Sequence, residues 1–409
     1  MAPDTHGLEA SATLSGNLTS YSGSPDGVHN LSRNSAAATA EKTESPAETP
    51  QASRPRDLLS REDCLEIYRQ LYLARYFDVR LIKEKKRGNL TGTLYSSHNQ
   101  EAIIVGSLFG LKPTDWISPI HRDMSAFFLK DAKFRWRDAN RMGLTIEQVC
   151  SQVWGKVTSP GRARDNWSHI GSREKRIIHS TSMLAGTIPV AAGVVYADRL
   201  NGGDAVCLTY NGEGSTAQGI FHEAINYAAV HKLPVVTIIE NNQWAYGTPT
   251  QLEYSQRDFA RRADGFGIPG IVADGQDVFD VYDKVMEAVE YARSGQGPSI
   301  VECKTFRAYG HGDHDDDRAA RYRPPEEIEK GRSRDPIAVC RRQLLELGHL
   351  SEEEAAKYHA EGKNAAEASN DDFPPEVVEF LNEGIKFAIA ADVPEAEEAA
   401  LWVFKESGR

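Results

Sequence analysis

A chain of 409 residues, 40% hydrophobic and 26% charged, has the composition of a soluble protein with enough apolar side chains for one large core. Its formal net charge of −12 excludes the basic surface that non-specific binding to nucleic acid or anionic lipid requires. The longest apolar stretch, 185–197, is broken by Pro189 and too short to cross a bilayer, and the five cysteines (Cys64, Cys150, Cys207, Cys303, Cys340) lack C-x-x-C spacing and read as reduced, structural thiols.

Residues 1–56 are rich in Ser, Ala, Thr, Pro and Glu, so burial cannot offset the entropy of ordering them, and disorder is expected. Acids run through this tail (Asp4, Glu9, Asp26, Glu41, Glu44, Glu48) against one arginine, Arg33, before Arg54, which argues for a bacterial cytoplasm over a mitochondrial presequence. Ser60 with Asp63 starts an amphipathic helix that runs to Gly88, with Lys83, Lys85, Lys86 and Arg87 as a solvated face at its carboxyl end. A buried helix is expected from Ile188 to Leu200, a strand over Ile271–Gly275, an amphipathic helix to Arg293 and a buried strand over Ser299–Thr305. The loop FRAYGHGDHDDDRAARYR holds His311, His314 and several acids, and a glycine-rich charged loop of this kind reads as solvated before it reads as a metal site. From Pro324 the chain is helical and acidic, with Asp335-Pro336 as a helix start and Gly348 as a stop.

The stretch from Asp204 to Thr248 carries the chemistry. Ala205–Thr209 reads as a buried strand, Gly212-Glu213-Gly214 as a loop, Ala217–Lys232 as a helix and Val235–Ile239 as a second strand. A right-handed crossover lays the two strands parallel and brings both carboxyl ends to one sheet edge. Glu213 then lies just past the first end, and Asn241 and Asn242 just past the second, beside the amino end of a helix, which favours an anion. A carboxylate, an amide oxygen and a nearby backbone carbonyl suit Mg²⁺, whose octahedron is completed by phosphate oxygens and water, so the stretch predicts a magnesium-diphosphate site. A P-loop fails because no Gly-Lys-Ser/Thr follows, and a Rossmann fingerprint because the third glycine is not at the required offset.

G-E-G followed after one crossover by E-N-N resembles the thiamine diphosphate motif, G-D-G to N-N, of thiamine-dependent enzymes. The words QGIFHEAINYAAVHKLPVV and ENNQWAYGT resemble the alpha subunit of the decarboxylating first component of 2-oxo acid dehydrogenase complexes, over roughly Leu58–Arg334. The resemblance implies an α/β fold: a doubly wound parallel sheet of the thiamine-diphosphate-binding type (57–334) with helical N- and C-terminal extensions, the latter over 335–409. It implies thiamine diphosphate and Mg²⁺ as cofactors, with Glu213, Asn242 and the Trp244 carbonyl as metal ligands and Gly212, Gly214 and Ser215 around the diphosphate. SHNQEA (97–102) is similar to the family's G-Q-E-A helix start, and PIHRD (119–123) to its Tyr-Arg segment, which assigns His121 and Arg122 to the cofactor. GRARDNWSHIG (161–171) is similar to a glycine-rich segment ahead of the pocket, and STSML (180–184) to the loop that receives the aminopyrimidine ring through Ser182 and Leu184. His311 takes the histidine position of the family's Gly-His-Ser loop, contacting diphosphate and moving protons in acyl transfer, and Gly312 stands where mitochondrial relatives carry a phosphorylated serine.

The implied activity is oxidative decarboxylation of a 2-oxo acid and acyl transfer to a lipoyl carrier. The implied partners are a beta subunit, in a tetramer of two alpha and two beta chains, and a lipoyl-bearing acyltransferase. Glu213 in place of Asp leans to a branched-chain substrate, whereas Glu240 and HEAINYAAVHKLPVV lean to pyruvate. An acetoin-type thiamine dehydrogenase and a non-catalytic cofactor-binding regulator remain open.

Overall fold

The computed structural model describes residues 53–130, 143–315 and 322–400, and the disorder expected of the tail falls on residues outside these up to residue 52. Five short apolar runs, too brief for helices, build one sheet: β1 (Trp116–Ser118), β2 (Cys207–Gly212), β3 (Val235–Asn241), β6 (Gly270–Asp274) and β7 (Ser299–Lys304). Between β3 and β6, β4 (Trp244–Ala245) and β5 (Thr248–Pro249) form a separate two-stranded hairpin. The sheet order is β1-β2-β3-β7-β6 and every pairing in it is parallel, with Leu208 beside Val236 and Ile238 beside Val301.

The period of two along each strand splits its side chains between two helical layers. Leu208, Tyr210, Val236, Ile238, Val301 and Cys303 face the layer that holds the helices Arg61–Lys86, Glu101–Leu108 and Val278–Arg293. Cys207, Val235, Ile239 and Ile300 face the helices Thr187–Leu200 and Gly219–Val230. Helices on both faces of a parallel sheet make this the doubly wound α/β fold expected. All five cysteines are free and buried, and among the described residues no helix is long and apolar enough to cross a membrane.

The helix Arg61–Lys86 departs from its amphipathic reading. Ser60 and Asp63 form the capping box, but burial then wraps most of the helix circumference, because the helices Pro336–Glu346 and Pro375–Ala390 pack against its second face. Polar side chains there are buried and therefore paired. Arg75, fully buried, binds Glu101 through Nε and Asp335 through Nη1, the latter at 2.8 Å. Asp78 accepts from the Ser96 hydroxyl at 2.9 Å and the Ser97 amide at 2.6 Å. The basic end is only partly the solvated face expected: Lys86 and Arg87 are exposed, but Lys83 donates to the Ala368 carbonyl and Lys85 to the Gly92 carbonyl, since the C-terminal segment and the following loop fold back over them.

Candidate active site

The carboxyl ends of β2, β3 and β7 open into a cavity of about 540 Å³. Its lining brings together His121, Arg122, Ser182, Leu184, Gly212, Glu213, Gly214, Ser215, Asn242, Trp244 and His311, all expected at the cofactor from the sequence, whereas Asn241, Gly312 and His314 do not line it. It adds others that sequence reasoning missed, among them Asn211, Glu240, Arg307, Tyr95, Tyr246 and His169. Asn211 and Arg307 could have been found by their place at strand ends, Asn211 immediately before G-E-G and Arg307 just past β7. His169 stands inside the glycine-rich word already quoted.

One corner is built for a hard cation. Glu213 opens a five-residue 3-10 turn, Glu213–Ala217, so the α-helix begins only at Gly219 and the amino end beside Glu213 is that of the turn. Asn241 ends β3, leaving Asn242 as the residue just past it. The Glu213 carboxylate is buried; Oε2 accepts from the Asn242 backbone N–H at 3.3 Å, and Oε1 has no partner among the described residues. Burial pushes this carboxyl up to about 7. Both side-chain amide atoms of buried Asn211 are likewise without partners among the described residues. Asn242 Oδ1 accepts from the Trp244 N–H at 3.3 Å, which ties the E-N-N turn to the hairpin. Gly214 is required because a Cβ there would stand 2.6 Å from the Ala245 Cβ, so two loops cross at backbone distance. No group of three or more His, Cys, Asp or Glu side chains poised for a metal occurs among the described residues, so a cation here relies on carboxylate, amide and carbonyl oxygens plus ligand oxygens. A buried carboxylate oxygen left without a partner among the described residues, on a turn bonded to Asn242, fits Mg²⁺.

The facing wall is cationic. Arg122, 4% exposed, donates to the carbonyls of Ser96 at 2.6 Å and His311 at 3.1 Å. Arg307, 1% exposed, donates to the Tyr309 and Tyr246 carbonyls, and its Nη1 has no partner among the described residues. Neither forms an ion pair with a carboxylate among the described residues, although burial lowers Arg122 to about 10, with the charge of Arg307 adding to the effect. Two buried guanidinium groups held by carbonyls suit an anion with several oxygens. Beneath them Asp123 and Glu240 form a buried carboxyl pair in which burial raises both.

Aromatic rings and imidazoles close the same side. Tyr95 packs at 4.3 Å from His121 and 5.2 Å from His311, and Tyr246 at 4.8 Å from His311. Burial, then the charges of Arg122 and Arg307, hold His311 down to about 3, and burial holds His121 well below its usual value, so both rings are neutral near pH 7. At Gly312 an added Cβ would come 2.7 Å from Thr93 Cγ2, so the loop packs too tightly there for a serine without a shift. Ser182, Met183 and Leu184 lie on the open side, with Met183 72% and Leu184 47% exposed.

A doubly wound sheet with a cation corner and an anion wall at its strand ends defines a cofactor-dependent enzyme of the α/β class. The family model of the dehydrogenase E1 component matches residues 68–372, and the chain belongs to that family. It is 33% identical over 297 residues to the 2-oxoisovalerate dehydrogenase subunit alpha of Bacillus subtilis, covering 72% of this chain and 86% of the relative. It is 32% identical to the pyruvate dehydrogenase E1 component subunit alpha of Rhizobium meliloti, covering 86% and 98%. With the somatic, mitochondrial pyruvate dehydrogenase E1 component subunit alpha of Sus scrofa it shares 31% identity over 78% of this chain and 79% of the relative.

Proposed function

We propose that the chain is the alpha subunit of a 2-oxo acid dehydrogenase that binds thiamine diphosphate through Mg²⁺. The observation that carries this is the pairing of opposites in one cavity: among the described residues the Glu213 carboxylate has an oxygen without a partner, and the guanidinium groups of Arg122 and Arg307 are hydrogen-bonded to carbonyls and form no ion pair. A magnesium diphosphate satisfies both at once. Glu213, Asn242 and the Trp244 carbonyl would hold the metal, with Gly212, Gly214 and Ser215 leaving room for the diphosphate. Arg122 and Arg307 would bind its oxygens.

When bound, thiamine diphosphate supplies the electron sink that decarboxylation of a 2-oxo acid needs. The chain's own residues orient and shield it. Tyr95, His121 and Tyr246 pack around the His311 imidazole, which would move a proton at a ring nitrogen during acyl transfer to a lipoyl carrier. Ser182 and Leu184 would contact the aminopyrimidine ring. The exposed Met183 and Leu184 beside the cavity support a beta subunit that covers this side, in a tetramer of two alpha and two beta chains served by a lipoyl-bearing acyltransferase in a bacterial cytoplasm. A branched-chain 2-oxo acid is favoured over pyruvate on Glu213.

The test is a 2-oxo acid panel on the chain co-purified with its beta partner, with thiamine diphosphate and magnesium, following CO₂ release. Decarboxylation by the pair, and none by the chain alone, is expected. Turnover of acetoin without CO₂ release would replace this reading by an acetoin-type enzyme. Cofactor binding with no turnover under any partner would replace it by a regulator.

A further inference from the structure

Two loops on the open side of the cavity are zipped together. The Ser180 N–H donates to the Ile170 carbonyl at 3.1 Å, the Ser180 hydroxyl to the Ser168 carbonyl, and Gly171 packs so tightly on His179 that a Cβ would stand 2.6 Å from its Cα. The zipper fixes His169 on one loop opposite Ser182 on the other. His169 Nδ1 lies 2.9 Å from Asp165 Oδ1, and His169 Nε2 lies 2.8 Å from Ser182 Oγ. His169 and Ser182 both line the cavity.

With one proton on the ring, the bonding partners fix the direction of every hydrogen in this chain of three. A carboxylate only accepts, so that proton stands on Nδ1 and is donated in a hydrogen bond to Asp165. Nε2 is then a bare acceptor, and the single hydroxyl hydrogen of Ser182 is used on it. What Ser182 Oγ has left to offer the cavity is lone pairs. We propose that Asp165 and His169 are positioning residues that hold Ser182 as an obligate hydrogen-bond acceptor, so that this side of the cavity selects a ring bearing an N–H donor over one bearing a carbonyl oxygen. The assignment rests on the reading that Ser182 faces the aminopyrimidine of thiamine diphosphate, whose exocyclic amino group is such a donor.

Asp165→Leu isolates the effect, because Asp165 is about half exposed and its Oδ1 also accepts from the Asn166 N–H at 2.6 Å, where an asparagine would keep its own oxygen. Leucine offers Nδ1 no acceptor, which releases the imidazole proton to Nε2; Ser182 then accepts from the ring and turns its own hydrogen to the cavity. The polarity that faces the ligand is reversed. The experiment is calorimetric titration of the alpha-beta complex, with magnesium, by thiamine diphosphate and by its 4′-oxo analogue, in which a carbonyl oxygen replaces the amino group. Wild type should prefer the amino ligand, and Asp165→Leu should reduce the ratio of the two affinities by about tenfold, the scale of one hydrogen bond. Ser182→Ala should bring the ratio down similarly. A loop that was merely loosened would lower both affinities together and leave their ratio alone, so an unchanged ratio in Asp165→Leu overturns the proposal. Wild type that binds neither ligand would instead overturn the cofactor reading beneath it, and the assignment would fall with it.

Discussion

Arg122→Met removes one charge from the cavity wall and keeps most of the side-chain volume, which makes two consequences separable. In the cofactor-free chain the guanidinium is buried with only carbonyl partners, and burial with the nearby Arg307 lowers its pKa to about 10. That displacement from the ordinary arginine value corresponds to about 3 kcal/mol of unfavourable burial. The hydrogen bonds to the Ser96 and His311 carbonyls offset about 1 kcal/mol each. Their loss leaves the variant about 1 kcal/mol more stable than wild type without cofactor. Binding should move the other way, because a charge-assisted contact to diphosphate is worth roughly 3 kcal/mol, or about 150-fold in Kd. Urea unfolding of the cofactor-free chain and calorimetry of the alpha-beta complex with thiamine diphosphate and magnesium measure the two terms. A variant that loses more than about 2 kcal/mol of stability while binding the cofactor with undiminished affinity would refute the anion-wall reasoning.

Glu213→Ala should fold, as judged by circular dichroism, and lose magnesium-dependent cofactor retention, because the buried carboxylate sits on a turn outside the sheet; undiminished retention on gel filtration would reject the metal corner. His311→Ala should depress turnover strongly in a lipoyl-acceptor assay, with circular dichroism unchanged. Asp335→Asn keeps the cap on the Ile337 N–H and removes one of the two carboxylates around Arg75, and should cost about 3 kcal/mol in urea melts; a loss under about 1 kcal/mol contradicts the buried-pair account. For pH, burial raises Asp78 to about 6. An acid raised on folding stabilises fully below its unfolded value near 4 and loses that contribution as pH rises through 6, so between pH 4 and 7 the stability of Asp78→Asn should gain on wild type by about 3 kcal/mol. A pH-independent difference between the two would show that Asp78 does not titrate this way.

The strand-helix-strand at 205–241 was legible because period and spacing are local properties, and they located Glu213 and Asn242 at one sheet edge. β2 runs on to Gly212 and β3 to Asn241, past the apolar runs that announced them, because ladder pairing such as Gly212 with Glu240 continues through polar residues. The second face of the helix Arg61–Lys86 escapes its amphipathic pattern for a different reason: the segments that cover it lie some three hundred residues downstream, and nothing near Arg75 in the sequence announces the carboxylates of Glu101 and Asp335 around it. Arg307 carries no motif of its own, and only its place just past the end of β7 marks it as a site residue. The approach of His169 to Ser182 depends on how two irregular loops zip together, which no periodicity encodes.

The Arg75 cluster also sets an order of events during synthesis. Glu101 follows Arg75 by 26 residues, whereas Asp335 follows by 260. At about 5–20 residues per second, the second carboxylate reaches the helix roughly 13–50 s after the arginine has been made. Until then the helix Arg61–Lys86 has Glu101 for its buried charge but neither Asp335 nor the two C-terminal helices over its second face, and that apolar surface stays open to water or to a chaperone. The nascent chain therefore docks its first long helix provisionally and locks it last, so chains interrupted ahead of Asp335 should be captured by chaperones rather than accumulate as folded fragments.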